Sequence, residues 1–245
     1  MSDFRMPHPS QLILILVSVL FFFSCKGDEG DSVVPYCGEA TYEVSFSKDL
    51  RDDQAFGAFL PHNVICTFDS ANLKMEASAP LSLARTSFVV SNDESFATIE
   101  FDNAKLLVSL SDLFGDLFSE DAQDNVVITV SEELVDISGY MSTHVFVTPK
   151  DDNSGSASID FFYIPFGAQK SVGCTDNKPI QASQWLRLPG LMTAMNAKLG
   201  DSNIMLVIKD FKEKESVSHD VFSRPFGFVE ASRRDVIAIM DLMMN

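Results

Sequence analysis

Two-residue alternation runs through most of the chain and restricts it to a β architecture more firmly than any other feature. Ala40, Tyr42, Val44 and Phe46 fall on one side of an extended strand, with Thr41, Glu43, Ser45 and Ser47 on the other. Val64, Cys66 and Phe68 repeat the pattern, and beyond the turn Asp69-Ser70-Ala71-Asn72 so do Leu73, Met75 and Ala77. Phe88–Val90 and Phe96–Phe101 flank a second turn, Ser91-Asn92-Asp93-Glu94. Further strands are predicted over 104–110, 126–130, 140–148, 157–164, 191–198 and 203–212, with tight turns at Gly155 and Gly200. About ten short strands joined by short polar turns predict an antiparallel meander with one apolar face.

Three stretches break the alternation. Leu50–Leu60 and Ser111–Ala122 read as short, irregular amphipathic helices or loops. Ser232–Met243 is the best helix: Ser232 can cap it, and Val236, Ile239, Met240 and Met243 share one face at i, i+3, i+4 and i+7. No internal repeat and no boundary divides 36–245, which reads as one domain.

The chain ahead of that domain has a different character. The run Leu12–Phe23 carries no charge, but a bilayer-spanning helix needs roughly 20 apolar residues, so the run is too short for an anchor. Behind Arg5 and the free amino terminus it reads as the core of an export signal. Phe22-Phe23-Ser24-Cys25 resembles a bacterial lipoprotein signal, cut between Ser24 and Cys25, with a diacylglycerol on the thiol. Residues 1–24 are thus expected to be a signal peptide and 25–35 a flexible acidic tether. Lys26, Asp28 and Glu29 in that tether resemble the lysine-plus-acidic tag that sends Bacteroidetes lipoproteins to the outer face. The expected location is the cell envelope, by a lipid in the outer membrane.

With Cys25 lipidated, an odd number of cysteines is left for an oxidising compartment: Cys37, Cys66 and Cys174. Cys37 and Cys174 sit in loop-like contexts and are the expected pair; Cys66 lies in an apolar strand and reads as a buried thiol. Asp31-Ser32-Val33 and Asp69-Ser70-Ala71 resemble O-glycosylation tripeptides of exported Bacteroidetes proteins, which would place glycans on Ser32 and Ser70.

A formal net charge of −17 repels phosphate backbones, so nucleic acid is not an expected partner. With 21 phenylalanines and a single tryptophan, the interior is greasy and has few polar handles. No catalytic motif is present: there is no nucleophile elbow, phosphate loop or His-Glu-x-x-His. Ser218-His219-Asp220 gathers triad residue types, but neighbours on an extended chain point apart. Asp112, Asp116, Glu120, Asp121 and Asp124 read as a solvated helix face rather than a calcium site, and Asp151–Gly155 as a hairpin turn. Neither a metal nor another cofactor is expected, and the chain does not read as an enzyme.

Several segments taken together carry a wider resemblance. Leu60-Pro61 leads into NVICTFDSANLKMEAS; Ile137-Ser138-Gly139-Tyr140, VFVTPKD and SIDFFYIPFG follow, and Val221–Phe228 precedes the closing helix. This order resembles a family of small bacterial envelope proteins of unknown function with the fold of the lipoprotein carriers LolA and LolB, over roughly 40–243. The resemblance implies an α+β, mainly antiparallel, unclosed β half-barrel, with short helices on or in its concave face. In the carriers that face holds acyl chains, and a Phe/Met lining can repack around flexible tails. Neither Arg51 nor Arg85 matches the arginine with which the carriers tune ligand handling. Two functions therefore stand: non-enzymatic binding of a lipid or acyl chain, or a filled barrel serving as a surface structural and interaction module.

Overall fold

A computed structural model of the chain describes residues 37–47, 60–69, 72–79, 84–91, 94–114, 126–149, 157–165, 190–199 and 202–243. Two meanders make up its sheet. The first comprises β1 (Cys37–Phe46), β2 (Asn63–Phe68), β3 (Leu73–Ser78), β4 (Ala84–Val90), β5 (Ser95–Phe101) and β6 (Ala104–Ser109). The second comprises β7 (Val126–Ile137), β8 (Tyr140–Pro149), β9 (Ala157–Pro165), β10 (Gly190–Leu199) and β11 (Ser202–Lys214). A two-residue strand, β12 (Val229–Glu230), runs parallel to β6; every other pairing is antiparallel. The order β12-β6-β5-β4-β3-β2-β1-β11-β10-β9-β8-β7 puts the first and last long strands side by side at the centre and leaves two edges.

The chain must pass from β6 to β7, and so from one edge region to the other. In a flat sheet these strands would lie ten spacings apart, about 48 Å. Between the short helix α1 (Leu110–Phe114) and Val126 the backbone reaches at most about 43 Å. A flat sheet would hold this connection nearly straight, and curling brings the edges closer. The result is the expected α+β, unclosed antiparallel half-barrel.

Side-chain chemistry sets the turns. Asp69 Oδ1 accepts the Asn72 amide N–H at 2.7 Å, closing the β2–β3 hairpin. Ser91 Oγ accepts the Glu94 amide at 3.1 Å between β4 and β5. Between β7 and β8, Ser138 (φ 54) and Gly139 (φ 86) both adopt left-handed backbone, the two-residue turn whose twist matches a hairpin, and Asp136 Oδ1 accepts the Gly139 N–H at 2.8 Å. Gly38 has a different task. A β-carbon there would meet the Phe211 ring at 2.7 Å, and its absence lets Phe211 lie parallel to Phe68 across β1, ring centroids 6.1 Å apart.

The main core lies on the inner face of the curl. Ala40, Tyr42, Cys66, Met75, Phe161 and Leu206 are all buried there, in the alternating register expected from the sequence. Leu60, Leu110, Leu113 and Val236 pack into the same cluster from outside the sheet. Val236 belongs to helix α2 (Arg233–Met243), which begins with a reciprocal cap: Ser232 N–H and Oγ–H donate to Asp235 Oδ2 at 2.8 and 2.6 Å. Those bonds hold the Asp235 carboxyl below its ordinary range.

Three expectations are corrected or only partly met, and others fall outside the described residues. The 111–122 helix starts at Leu110 and is described only to Phe114. Strand β7 continues beyond 130 to Ile137. Only Leu60 of 50–60 lies among the described residues; the turns at Gly155 and Gly200 lie outside them. The sheet also has two apolar areas rather than one. On the outer face Val89, Phe96 and Leu107 are buried beneath Phe222, with Val217, Val221 and Phe228 packed around them. This happens because the chain after β11 crosses the outer face as a strap, joins the β6 edge as β12, and then puts α2 against the inner cluster.

Candidate ligand-binding face

Burial along the inner face is uneven, and that unevenness defines the candidate site. Through β1–β6 and β8–β11 the inward side chains are buried or partly buried: Val145 and Val147 are each 3% exposed and Phe161 0%, while Phe46, Ile99, Leu106, Ile159 and Phe211 are half-buried. One strand further, on β7 and the tip of β8, the inward positions open to solvent. Register fixes their direction: Ile128 pairs with Val147, Val130 with Val145 and Leu134 with Thr143, so all three share the inner side, as does Met141 opposite Asp136. Exposures there are 43% for Ile128, 57% for Val130, 54% for Leu134 and 54% for Met141. The inner face thus ends in an apolar lip.

That lip is also an edge, and it is blocked against strand addition. Val130 pairs with Val145 and Leu134 with Thr143, so Ser131, Glu132 and Glu133 together oppose His144 alone. The bulge puts two exposed carboxylates in the middle of the edge strand, and the Glu133 amide N–H donates locally to Ser131 Oγ at 3.1 Å. Charge and bulge are the devices that keep edge strands from pairing with another chain. A hydrocarbon, which needs no backbone partner, is not hindered by them.

Deeper on the same face, polar groups are few and closed. The Tyr42 hydroxyl donates to the Met192 carbonyl at 2.9 Å, and burial, followed by the proximity of Cys66, pushes its pKa well above the ordinary 10.0. Cys66 is the buried thiol expected of it, and burial raises its pKa as well. On the outer face His144 Nε2 meets Asp160 Oδ1 at 2.6 Å while its ring stacks on Phe162 at 4.6 Å. No group of three His, Cys, Asp or Glu able to hold a metal occurs among the described residues. Ser218, His219 and Asp220 form a 3-10 turn and its cap, with no hydrogen bond joining their side chains.

Most residues singled out in the sequence lie elsewhere. Ser24, Cys25, Lys26, Asp28, Glu29, Ser32, Ser70 and Cys174 are outside the described residues; Cys37 is buried at the start of β1. Sequence reasoning missed the lip because Ser131-Glu132-Glu133 interrupts the alternation. The signal that could have found it is the return of apolar residues at Leu134, Val135 and Ile137 before the Ser-Gly turn.

No protein-family model matches the chain, and no curated protein does. Among solved structures it is similar to PNGF-II, at 12% identity and a TM-score of 0.48 over 85% of this chain and 34% of that one. This chain therefore spans about a third of that protein's length. It is also similar to the Mycobacterium tuberculosis lipoprotein LppX, at 11% identity and TM-score 0.39 over 86% of this chain and 96% of that one. A putative outer membrane lipoprotein-sorting protein domain from Vibrio parahaemolyticus matches at 8% identity and TM-score 0.31, covering 88% and 97% of the two chains. At such scores the likeness is one of general layout.

Proposed function

We propose that the protein is a lipid-anchored envelope protein that binds a hydrophobic ligand, a lipid or an acyl chain, on the inner face of its half-barrel. The observation that carries this reading is the apolar lip: Ile128, Val130, Leu134 and Met141 continue the core surface into solvent. Exposed contiguous apolar surface marks an interaction site, and the glutamate-bearing bulge favours an occupant without a backbone to pair. In this reading the diacylglycerol on Cys25 keeps the domain at the outer membrane, where such ligands reside, and the Cys37–Cys174 pair and glycans at Ser32 and Ser70 belong to its exported state.

The competing reading, a filled barrel acting as a structural or interaction module, is favoured by the near-zero exposure of the central inner face. Mass spectrometry of lipid extracted from purified residues 36–245 separates the two. Stoichiometric phospholipid or fatty acid is the result expected of a binding protein; a stable, lipid-free domain is the result that would sink it. Anchoring is tested by Cys25→Ser, which should release the protein from the membrane fraction; retention there would refute the anchor.

A further inference from the structure

The outer face holds a cavity, chemically unlike the apolar lip of the inner face. Between the strap and β1–β5 lies a groove of about 610 Å³, within the size range of small-molecule sites. It reaches from Glu39 on β1 to Glu100 on β5, four strand spacings or about 19 Å. Its floor is hydroxylic: Thr67, Ser87 and Thr98 are buried, and Ser87 and Thr98 share a 2.6 Å hydrogen bond. Ser216 and Ser218 add hydroxyls from the strap. Apolar residues close one end, where Val89 and Phe96 lie under Phe222.

The charges lining this groove are mostly neutralised in place. Lys214 Nζ meets Glu39 at 2.7 Å, Lys74 meets Glu76 at 3.2 Å, Glu100 is paired with Lys105 at 3.6 Å, and Arg224 is held by Glu94 and Glu230. Two lining charges have no ion pair or side-chain hydrogen bond among the described residues: Arg85 and Asp220. Both line the same groove: Arg85 stands on β4, opposite Glu100 of β5, and Asp220 on the 3-10 turn His219–Phe222, which sits over the neighbouring strand β3.

We infer that this groove binds a small zwitterion, its anionic group on the Arg85 guanidinium and its ammonium on the Asp220 carboxylate, with the hydroxyl floor beneath. A ligand carrying a single charge would engage only one of the two groups, and a purely apolar ligand would strip water from both without replacing it. The chemistry is shared by a free α-amino acid and by the phosphoethanolamine headgroup of a lipid. The site lies on the opposite face from the hydrophobic one and does not depend on it.

The test is isothermal titration calorimetry on the full chain purified in dodecyl maltoside, with two probes: a set of free L-α-amino acids, and O-phosphoethanolamine. Saturable binding of either is expected, and which one binds names the source. Losing one charge-assisted hydrogen bond costs about tenfold or more in affinity, so Arg85→Gln and Asp220→Asn should each weaken binding by that factor. Both side chains are exposed, and unchanged thermal unfolding of the variants will show that the fold is intact. Two results would overturn the inference: no binding of either probe at millimolar concentration, or binding that neither substitution changes.

Discussion

The hydroxyl of Tyr42 and the carbonyl of Met192, 150 positions apart, meet at 2.9 Å in the buried inner face and join β1 to β10 across β11. Beside that carbonyl β10 shifts register against β9 between Met192 and Ala194, and its pairing with β11 is described only from Ala194 onward. Tyr42→Phe keeps the ring and strands that acceptor. It should lower the unfolding free energy by about 1–3 kcal/mol, read from urea denaturation, with no change in m-value. Stability equal to the parent would mean that the bond contributes nothing.

Alkaline pH should weaken the same region. Burial raises the pKa of Tyr42 and of Cys66 above their ordinary values of 10.0 and 9.0. A raised folded-state pKa means the folded state holds its proton where the unfolded chain has lost it. Their contribution is therefore full below pH 9 and declines as pH rises beyond it, by about 1.4 kcal/mol per pH unit for each group ionising only on unfolding. Thermal melts between pH 8 and 11 should show the decline begin near 9, and Cys66→Ala should move its onset toward 10.

Phe222 is the bolt of the strap. It is 1% exposed and covers Val89, Phe96 and Leu107 on the outer face. Phe222→Ala removes most of that cluster's cover and should cost about 3 kcal/mol. Hydrogen exchange in Val217–Phe228 should rise more than in β1 or β11, because the inner core does not depend on this contact.

Arg224 fastens the same segment electrostatically, donating through Nε to Glu94 and through Nη1 to Glu230 at 2.8 Å. The two carboxylates raise its pKa further, the hydrogen bond it donates to Glu94 first. Because the Arg224 side chain is half exposed and both its partners lie at the surface, global stability should barely change in Arg224→Gln. Limited proteolysis should instead cut more readily near Pro225–Gly227, and the difference should shrink at high salt. Equal cleavage rates at low salt would rule out the clamp.

The lip offers a direct handle on the proposed ligand. Val130→Asp with Leu134→Asp places two charges where hydrocarbon would lie, on side chains already more than half exposed. Folding should be unaffected, while affinity for a fluorescent fatty acid should fall about tenfold, as expected from losing one to two kcal/mol of apolar contact. An unchanged affinity would place the ligand elsewhere.

Much of this architecture was legible because period-two patterning is a local property. Strands β1–β5 and β8–β11 could be read from which residues alternate, and the hairpins from Asp69–Asn72 and Ser91–Glu94. The continuation of β7 was not, since a bulge breaks alternation at the point where the strand persists. Nor was the second apolar cluster: Val89, Phe96 and Leu107 are single apolar residues on outward positions of three strands, and only register places them side by side.

The sequence by itself determined that the chain is a strand meander with an apolar inner side, because alternation and turn chemistry act between near neighbours. Tertiary structure alone decided which edge stays open, which charges remain unpaired and where the strap crosses. Those outcomes depend on contacts such as Tyr42 with Met192 and Arg224 with Glu94, between residues more than a hundred positions apart. Only the curl of the whole sheet brings such residues within bonding distance.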